Sequence, residues 1–172
     1  MTPEQATFLL NTVCLPQIQN EQKTTRRVIE AVPADKSGYK PDPKAMSAFE
    51  LASHIASSEC FFMNGVASGS FDSAGEPIPE SVKTPAQLLE WYDENFAKAS
   101  ARLAGLKPEE LTRMINFHGV LNFPAVTYLS MMCSHSIHHR GQLSSYLRPM
   151  GSKVPKIYGG SADEPMEIPA QA

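Results

Sequence analysis

Apolar residues recur along most of this chain in steps of three and four, the spacing that places them on one face of an α-helix. Loops rich in proline, glycine and small polar residues separate four such segments, and no segment alternates as a half-buried strand does. The predicted helices span residues 3–32, 44–66, 84–106 and 124–150. We therefore predict an all-α fold, a four-helix bundle with long loops.

Start and stop signals support these boundaries. Residues 2–5 (TPEQ) and 84–87 (TPAQ) each combine an N-cap threonine, a proline at the first helical position and a capping-box glutamine. Pro16 predicts a kink or break in the first helix, because its nitrogen cannot donate an intrahelical hydrogen bond. Residues 107–123 are predicted to be irregular, with a turn or crossing loop at 116–119.

The composition is that of one soluble globular domain: 172 residues, of which 42% are hydrophobic and 19% charged. We treat residues 1–172 as a single domain whose segment 152–172 forms an extended tail. No apolar run approaches the roughly 20 residues of a membrane span, and the N-terminus lacks signal-peptide features. Cys14, Cys60 and Cys133 are odd in number and lack CxxC spacing, which predicts buried, reduced thiols. These features predict a cytoplasmic protein with no membrane partner.

The charge pattern argues against binding to nucleic acid. The formal net charge is −3, and no basic cluster is longer than Arg26-Arg27. Because phosphate contacts dominate affinity for nucleic acids, we expect no nucleic acid as a main partner.

The predicted fourth helix carries polar side chains where a plain bundle would have leucine. Six of its residues follow one stripe toward the core: Tyr128, Met132, His135, His139, Gln142 and Tyr146. On the second helix, His54 also points inward. A buried polar group without a partner costs free energy, so this stripe needs an explanation beyond packing.

The spacing of His135 and His139 suits a metal chelate. Four residues correspond to a rotation of about 40° around the helix axis, so both imidazoles can reach one point. Such a pair binds first-row divalent metals, and His54 could add a third nitrogen. Three protein ligands leave coordination positions open, as in catalytic sites. The spacing alone leaves one alternative open, a pair of core histidines satisfied by hydrogen bonds.

Two further residues are candidates for a role beside the metal. Glu50 precedes His54 by one turn and could orient it or reach the metal, or it could be a solvated first-turn residue favoured by the helix dipole. Gln142 lies one turn past His139 and is a candidate hydrogen-bond partner, with a structural role as the alternative.

The other two histidines have weaker claims. His138 is rotated by about 60° from His135 toward the edge of the stripe, which favours solvent or an indirect contact over ligation. His118 lies in a predicted loop, where we expect no direct role.

Several strings resemble the DinB/YfiT-like superfamily of metalloenzymes. The central one is HSIHHRGQL at residues 135–143, followed by YLRPMG at 146–151. ELASH at residues 50–54, PDP at 41–43 and VPKIYGGSAD at 154–163 are similar to one branch of the DinB family. The resemblance covers essentially the whole chain, and it implies a four-helix bundle with one histidine on the second helix and an H-x3-H pair on the last.

The same resemblance implies the ligands and a class of chemistry. Its ligands are His54, His135 and His139, which would hold a divalent ion such as zinc or nickel. Relatives include thiol-S-transferases using mycothiol, bacillithiol or glutathione, and a thiol-dependent maleylpyruvate isomerase. The metal binds a low-molecular-weight thiol as the nucleophilic thiolate.

The leading hypothesis is a metal-dependent enzyme, a thiol-S-transferase-like transferase or isomerase acting on a small molecule. In it, Gln142 or Glu50 positions the nucleophile, and Trp91, Tyr92 or Phe61 lines the pocket. The alternative is a non-catalytic, stress-associated bundle that binds a metal or ligand. A third hypothesis is an interaction module without metal.

A second apolar stripe lies roughly opposite the histidines on the fourth helix. Its members are Val126, Leu129, Cys133, Ile137 and Leu147. One face of each helix in a simple bundle meets water, so this stripe predicts a symmetric homodimer, the state common among the similar proteins. The alternative is burial beneath the long loops and the tail.

Overall fold

The computed structural model describes residues 1–166, and 59% of these are helical against 5% in strands. The all-α class is therefore confirmed. The first predicted helix runs without a loop through α1 (Pro3–Leu9), a π-helical turn (Leu10–Cys14) and α2 (Leu15–Glu30). The π turn stands immediately before Pro16, where the missing N–H breaks the regular hydrogen-bond ladder.

The second helix, α3, spans Ala48–Ser68 and begins four residues later than predicted. Ser47 is its N-cap: the Ser47 hydroxyl accepts from the Glu50 N–H at 3.2 Å, and the Glu50 carboxylate accepts from the Ser47 N–H at 2.7 Å. This reciprocal pair ends the preceding loop, because Ser47 takes the extended conformation of a cap rather than a helical one.

The remaining helices are close to their predicted bounds. The third long helix, α4, spans Pro85–Ala104, and its predicted capping box is formed. A single short turn follows as α5 (Pro108–Thr112). The last long helix, α6, spans Thr127–Leu147, three residues shorter than predicted at each end.

The segment predicted to be irregular contains a β-hairpin, which corrects the sequence analysis. Strand β1 (Met114–Phe117) pairs antiparallel with β2 (Leu121–Pro124). The turn falls at residues 118–120, with positive φ at His118 and Gly119. Strands of four residues are too short to show a clear alternation. Only the tertiary contacts make the hairpin evident, above all Tyr128, whose hydroxyl donates to the Ile115 carbonyl at 2.8 Å.

Helix α3 is the central element of the bundle, packing against both α4 and α6. Its buried residues meet apolar side chains from every other long helix. The core includes Ile18, Val28, Leu51, Ile55, Met63, Leu88, Leu103, Leu129 and Leu143. This packing supplies the rigid frame in which polar residues of α3 and α6 face one another.

A buried ionic network ties α6 to α2 and to the tail. The Arg140 side chain of α6 is 1% exposed and contacts the Glu21 carboxylate. It also donates to the Glu21 carbonyl at 3.2 Å, to the Thr25 hydroxyl at 3.1 Å and to the Tyr158 hydroxyl. The charge is buried with partners on several sides, as a buried guanidinium requires.

The network continues into α3 and α4 through Thr25. The Thr25 hydroxyl donates to the Glu59 carboxylate at 3.0 Å, and the Tyr92 hydroxyl donates to the same carboxylate. Burial raises the pKa of Glu59 above its usual range. Tyr92 is thus fully buried in this network and does not line a pocket, contrary to the sequence analysis.

The described part of the tail, residues 152–166, packs along the surface of the bundle. Glu164 pairs with Arg27 at 2.5 Å, and Asp163 pairs with Arg148 at 2.9 Å. The Tyr158 hydroxyl donates to the Glu21 carboxylate at 2.7 Å. Residues 167–172 of the predicted tail lie outside the described residues.

Most of the second apolar stripe of α6 is covered within the chain, whereas the Ile137 side chain is 37% exposed. Val126, Leu129 and Cys133 are buried and share a small cavity with Leu9 and Cys14 of the N-terminal helical region. Neither the tail nor a second copy is needed to bury these three side chains. The homodimer stays a prediction, and this stripe no longer argues for it.

We predict that Arg140→Ala lowers the free energy of unfolding by about 3–5 kcal/mol, because it leaves Glu21 buried beside no cation. Urea unfolding followed by circular dichroism measures this loss. The matched control is Arg148→Ala, which removes a pair whose arginine is 54% exposed and should cost less than about 1 kcal/mol. Equal losses in the two variants would contradict a structural role for the buried network.

Candidate metal centre

Three histidines converge where α3 packs against α6. His54 comes from α3, whereas His135 and His139 lie one turn apart on α6. The Nε2 atoms of His54 and His135 are 3.1 Å apart, and one ring nitrogen from each of the three residues lies within 4.8 Å of the others. All three side chains are half-buried. These are the three residues that the sequence spacing and the family resemblance selected.

The donor set and its spacing fit a divalent ion. Two zinc–nitrogen bonds of about 2.0–2.1 Å at a tetrahedral angle separate the nitrogens by about 3.3 Å. The observed 3.1 Å between His54 and His135 is close to that separation. The cluster is therefore compatible with a metal site.

Gln142 orients one of the rings, as its place one turn beyond His139 predicted. The His139 Nδ1 lies 3.1 Å from the Gln142 side-chain oxygen, while the Gln142 amide nitrogen donates to the Tyr146 hydroxyl at 3.3 Å. The amide oxygen accepts when His139 carries its proton on Nδ1, and that tautomer leaves a lone pair on Nε2. A hydrogen bond of this kind orients metal-binding histidines in general.

Burial favours the neutral form of two of the three rings, His54 and His135. Desolvation, and then the neighbouring histidines, lower the pKa of His135 to about 4. Desolvation and His139 likewise lower the pKa of His54 from its usual value. Neutral imidazole is the form that binds metals, so burial favours the ligand form of both rings.

An aromatic cluster closes the site toward the hairpin. The Phe62 ring lies 6.1 Å from the His135 ring and stacks on Phe117 of β1. Phe61, which the sequence analysis placed in the pocket wall, packs against Phe62 and Phe71 in the same cluster. This apolar wall limits the access of water to the histidines from that side.

A cavity of about 560 Å³ opens beside His54, within the size range of small-molecule sites. Its walls come from the loop before α3, the first turns of α3 and Ile78 of the loop before α4. The lining residues are Lys40, Lys44, Ala45, Met46, Phe49, Glu50, Ser53, His54, Ser57 and Ile78. The sequence analysis missed the two lysines, Met46 and Ile78, because they lie in loops without periodicity. Trp91 is not among the lining residues.

Glu50 lies in the cavity wall but outside the histidine cluster. Its exposed carboxylate caps α3 and pairs with Lys40 at 3.3 Å. The backbone N–H of Ser47, and then the Ser47 hydroxyl and Lys40, lower the pKa of Glu50 to about 2. Glu50 is therefore ionised at neutral pH. Its position is that of a solvated residue in the first turn of α3, the alternative to a role at the metal.

Among the described residues, neither of the two remaining histidines belongs to the group whose ring nitrogens converge. His138 is exposed, with its ring centre 4.8 Å from that of His139. His118 is exposed in the hairpin turn. No helix among residues 1–166 combines the length and apolar character needed to cross a bilayer.

Comparison with known proteins gives the family. The sequence pattern of the DinB family matches residues 6–170, so this chain belongs to the DinB family. A Bacillus subtilis relative, the uncharacterized protein YjoA, is 30% identical over 134 residues, covering 77% of this chain and 85% of its own length. A second B. subtilis relative, the uncharacterized YrdA, is 33% identical over 98 residues, which is 55% of this chain and 56% of YrdA.

Solved structures agree on the fold. The crystal structure of the DinB-like YjoA superposes with a TM-score of 0.71 at 28% identity, covering 84% of this chain and 96% of that one. A DinB-like protein from Bacillus cereus gives a TM-score of 0.70 at 20% identity, covering 84% and 95%. The DinB-like helical architecture expected from the histidine motifs is confirmed.

We predict that the metal-free protein loses stability as the pH falls from 7.5 to 5.5. Around pH 6.5 the histidines of the unfolded chain take up protons that His54 and His135 in the folded chain do not, because burial lowers the pKa of both. The unfolded state then binds more protons, so acidification favours unfolding. Thermal unfolding midpoints measured after chelation test this.

The His135→Gln variant should show a flatter dependence on pH than the unsubstituted protein. The matched control is His138→Gln, which removes an exposed ring from the same helix and should keep the original slope. A slope unchanged by His135→Gln would contradict the link between stability and the buried histidines.

Proposed function

We propose that this protein is a divalent-metal-dependent enzyme whose ion is held by His54, His135 and His139. The observation that carries the proposal is the convergence of three imidazoles beside a cavity of about 560 Å³. Three neutral ligands leave coordination positions and the charge of the ion available to a substrate. A bound ion would lower the pKa of a coordinated water or thiol and supply a nucleophile at neutral pH.

We further propose a thiol-S-transferase-like transferase or isomerase that uses a low-molecular-weight thiol. Each of the three cysteines of the chain is buried, and burial raises the pKa of Cys14, Cys60 and Cys133. None of these thiols is suited to act as the nucleophile, since the thiolate is the reactive form. A thiol used in the reaction would therefore come from a small molecule.

Particular side chains have distinct parts in this proposal. Gln142 holds the ring of His139 in its metal-binding tautomer, so it acts as a positioning residue. Glu50 is the other candidate for positioning the nucleophile, and its ionised carboxylate holds Lys40 in the cavity wall. Imidazole ligands suit zinc and nickel, which are our proposed metals. Three free thiols favour the cytoplasm, a reducing compartment, as the location.

The second candidate function is a non-catalytic bundle in which the metal is structural. It is favoured by the origin of the ligands, because an ion held by His54 and His135 would cross-link α3 to α6. The coordination sphere separates the two candidates. An exchangeable water on the metal, seen by X-ray absorption or by relaxation of a paramagnetic substitute, supports catalysis, and a closed four-ligand set supports the structural role.

We predict that His139→Ala abolishes stoichiometric binding of zinc and nickel, whereas His138→Ala lowers affinity only slightly. The first variant removes a ligand, and the second removes an exposed ring of the same helix. Calorimetric titration of the chelated, tag-free protein measures both affinities. Stoichiometric binding retained in His139→Ala would mean that the wrong residues are assigned as ligands.

We also predict that the metal-loaded protein accelerates the attack of a small thiol on an electrophile, either displacing halide from an aryl halide or adding across a carbon–carbon double bond. Glutathione, bacillithiol and mycothiol, each paired with an activated aryl halide and with an unsaturated dicarboxylate, form the test panel. His139→Ala should lose the activity, and Gln142→Leu should lower it about 10- to 100-fold, the usual effect of losing a partner that orients a ligand. Inactivity with every pair in the panel would leave the structural role as the better candidate.

A further inference from the structure

The cavity beside His54 combines an apolar wall with an excess of positive charge. Met46, Phe49 and Ile78 contribute the apolar part. Two ammonium groups, Lys40 and Lys44, face the cavity against a single carboxylate. His54 contributes no compensating negative charge, so the lining as a whole is cationic.

The two lysines are not equivalent. Lys40 already forms an ion pair, since its Nζ lies 3.3 Å from the Glu50 carboxylate. In the described part of the chain, Lys44 forms no ion pair; only its backbone N–H is engaged, donating to the Asp42 carboxylate at 2.8 Å. The nearby N-terminus of α3 is already neutralised by the Glu50 carboxylate. Lys44 is therefore the cation left for a ligand.

A second polar group on the cavity wall is also unsatisfied. The Ser53 hydroxyl is buried, and no hydrogen-bond partner for it occurs among residues 1–166. Ser53 lines the same cavity and precedes the candidate ligand His54 in sequence. A buried hydroxyl without a partner is costly, and an oxygen of a bound molecule could satisfy it.

We propose that the cavity binds a small organic carboxylate whose apolar part packs on Met46, Phe49 and Ile78. Its carboxylate pairs with Lys44, and the Ser53 hydroxyl donates to an oxygen of the same molecule. Its position beside His54 makes the bound molecule the substrate, a step that rests on the proposed function. The binding itself depends only on the cavity.

Three probes with the same carbon skeleton test the charge requirement: 4-phenylbutyrate, 4-phenylbutan-1-ol and 4-phenylbutylamine. Binding is followed by the methyl signals of labelled methionine and isoleucine in nuclear magnetic resonance titrations, because Met46 and Ile78 line the cavity. The carboxylate should shift both signals and bind at least about fivefold more tightly than the alcohol, whereas the amine should bind most weakly. Added salt should reduce the preference for the carboxylate.

Substitutions then test whether Lys44 is the cation that pairs with the carboxylate. Lys44→Met should weaken the binding of phenylbutyrate about three- to fivefold and leave the affinity for the alcohol unchanged. Lys44→Arg should restore the preference for the carboxylate over the alcohol. The matched control is Lys23→Met, an exposed lysine of α2 that should have no effect. Equal affinity for the acid and the alcohol, or equal effects of Lys44→Met and Lys23→Met, would overturn the inference.

The titrations are run on both metal-free and zinc-loaded protein. They thereby distinguish a failure of the carboxylate site from a failure of the proposed metal chemistry. A protein that selects phenylbutyrate but binds no zinc would sustain the carboxylate site and defeat the proposed metal chemistry. A protein that binds zinc through the three histidines without preferring the carboxylate would defeat the carboxylate site alone.

Discussion

The candidate site depends on the fixed packing of α3 against α6. His54 and His135 come from different helices, and a slide of one turn along α6 would separate their nitrogens by about 5 Å. The buried network around Thr25 opposes such a slide, because its hydroxyl joins Arg140 of α6 to Glu59 of α3. Arg140 follows His139 directly, so the same guanidinium that anchors α6 also sets the height of the histidine pair.

The network and the histidine cluster illustrate two solutions for polar groups inside a bundle. Around Arg140, charge is buried, and protein partners satisfy it on every side, from Glu21 to the Tyr158 hydroxyl. The His135 ring lies close to two other imidazoles, and burial lowers its pKa. Its Nδ1 has no partner among the described residues. A protein keeps such incompletely satisfied groups at functional sites more readily than in a structural core.

The loop before α3 gives the site its access and its charge. It is pinned to the helix start, since the Ala48 and Phe49 N–H groups donate to the Tyr39 and Ser37 carbonyls at 2.9 Å. Through these bonds the loop sets Lys40 and Lys44 beside His54. The histidines thus come from regular helices, whereas the cavity comes from irregular segments, a division that lets loops vary substrate choice on a constant scaffold.

Sequence alone determined the helices, the inward stripe of α6 and the three converging histidines, because helical periodicity and capping are local properties that spacing reveals. The family resemblance then implied the same three ligands, His54 included. Only the tertiary structure decided the hairpin, the burial of Val126, Leu129 and Cys133 against the N-terminal helical region, the role of Tyr92 and the cavity walls. Each of these depends on contacts between residues far apart in the chain, and a short strand, a loop lysine or a buried arginine carries no periodic signal of its final neighbours.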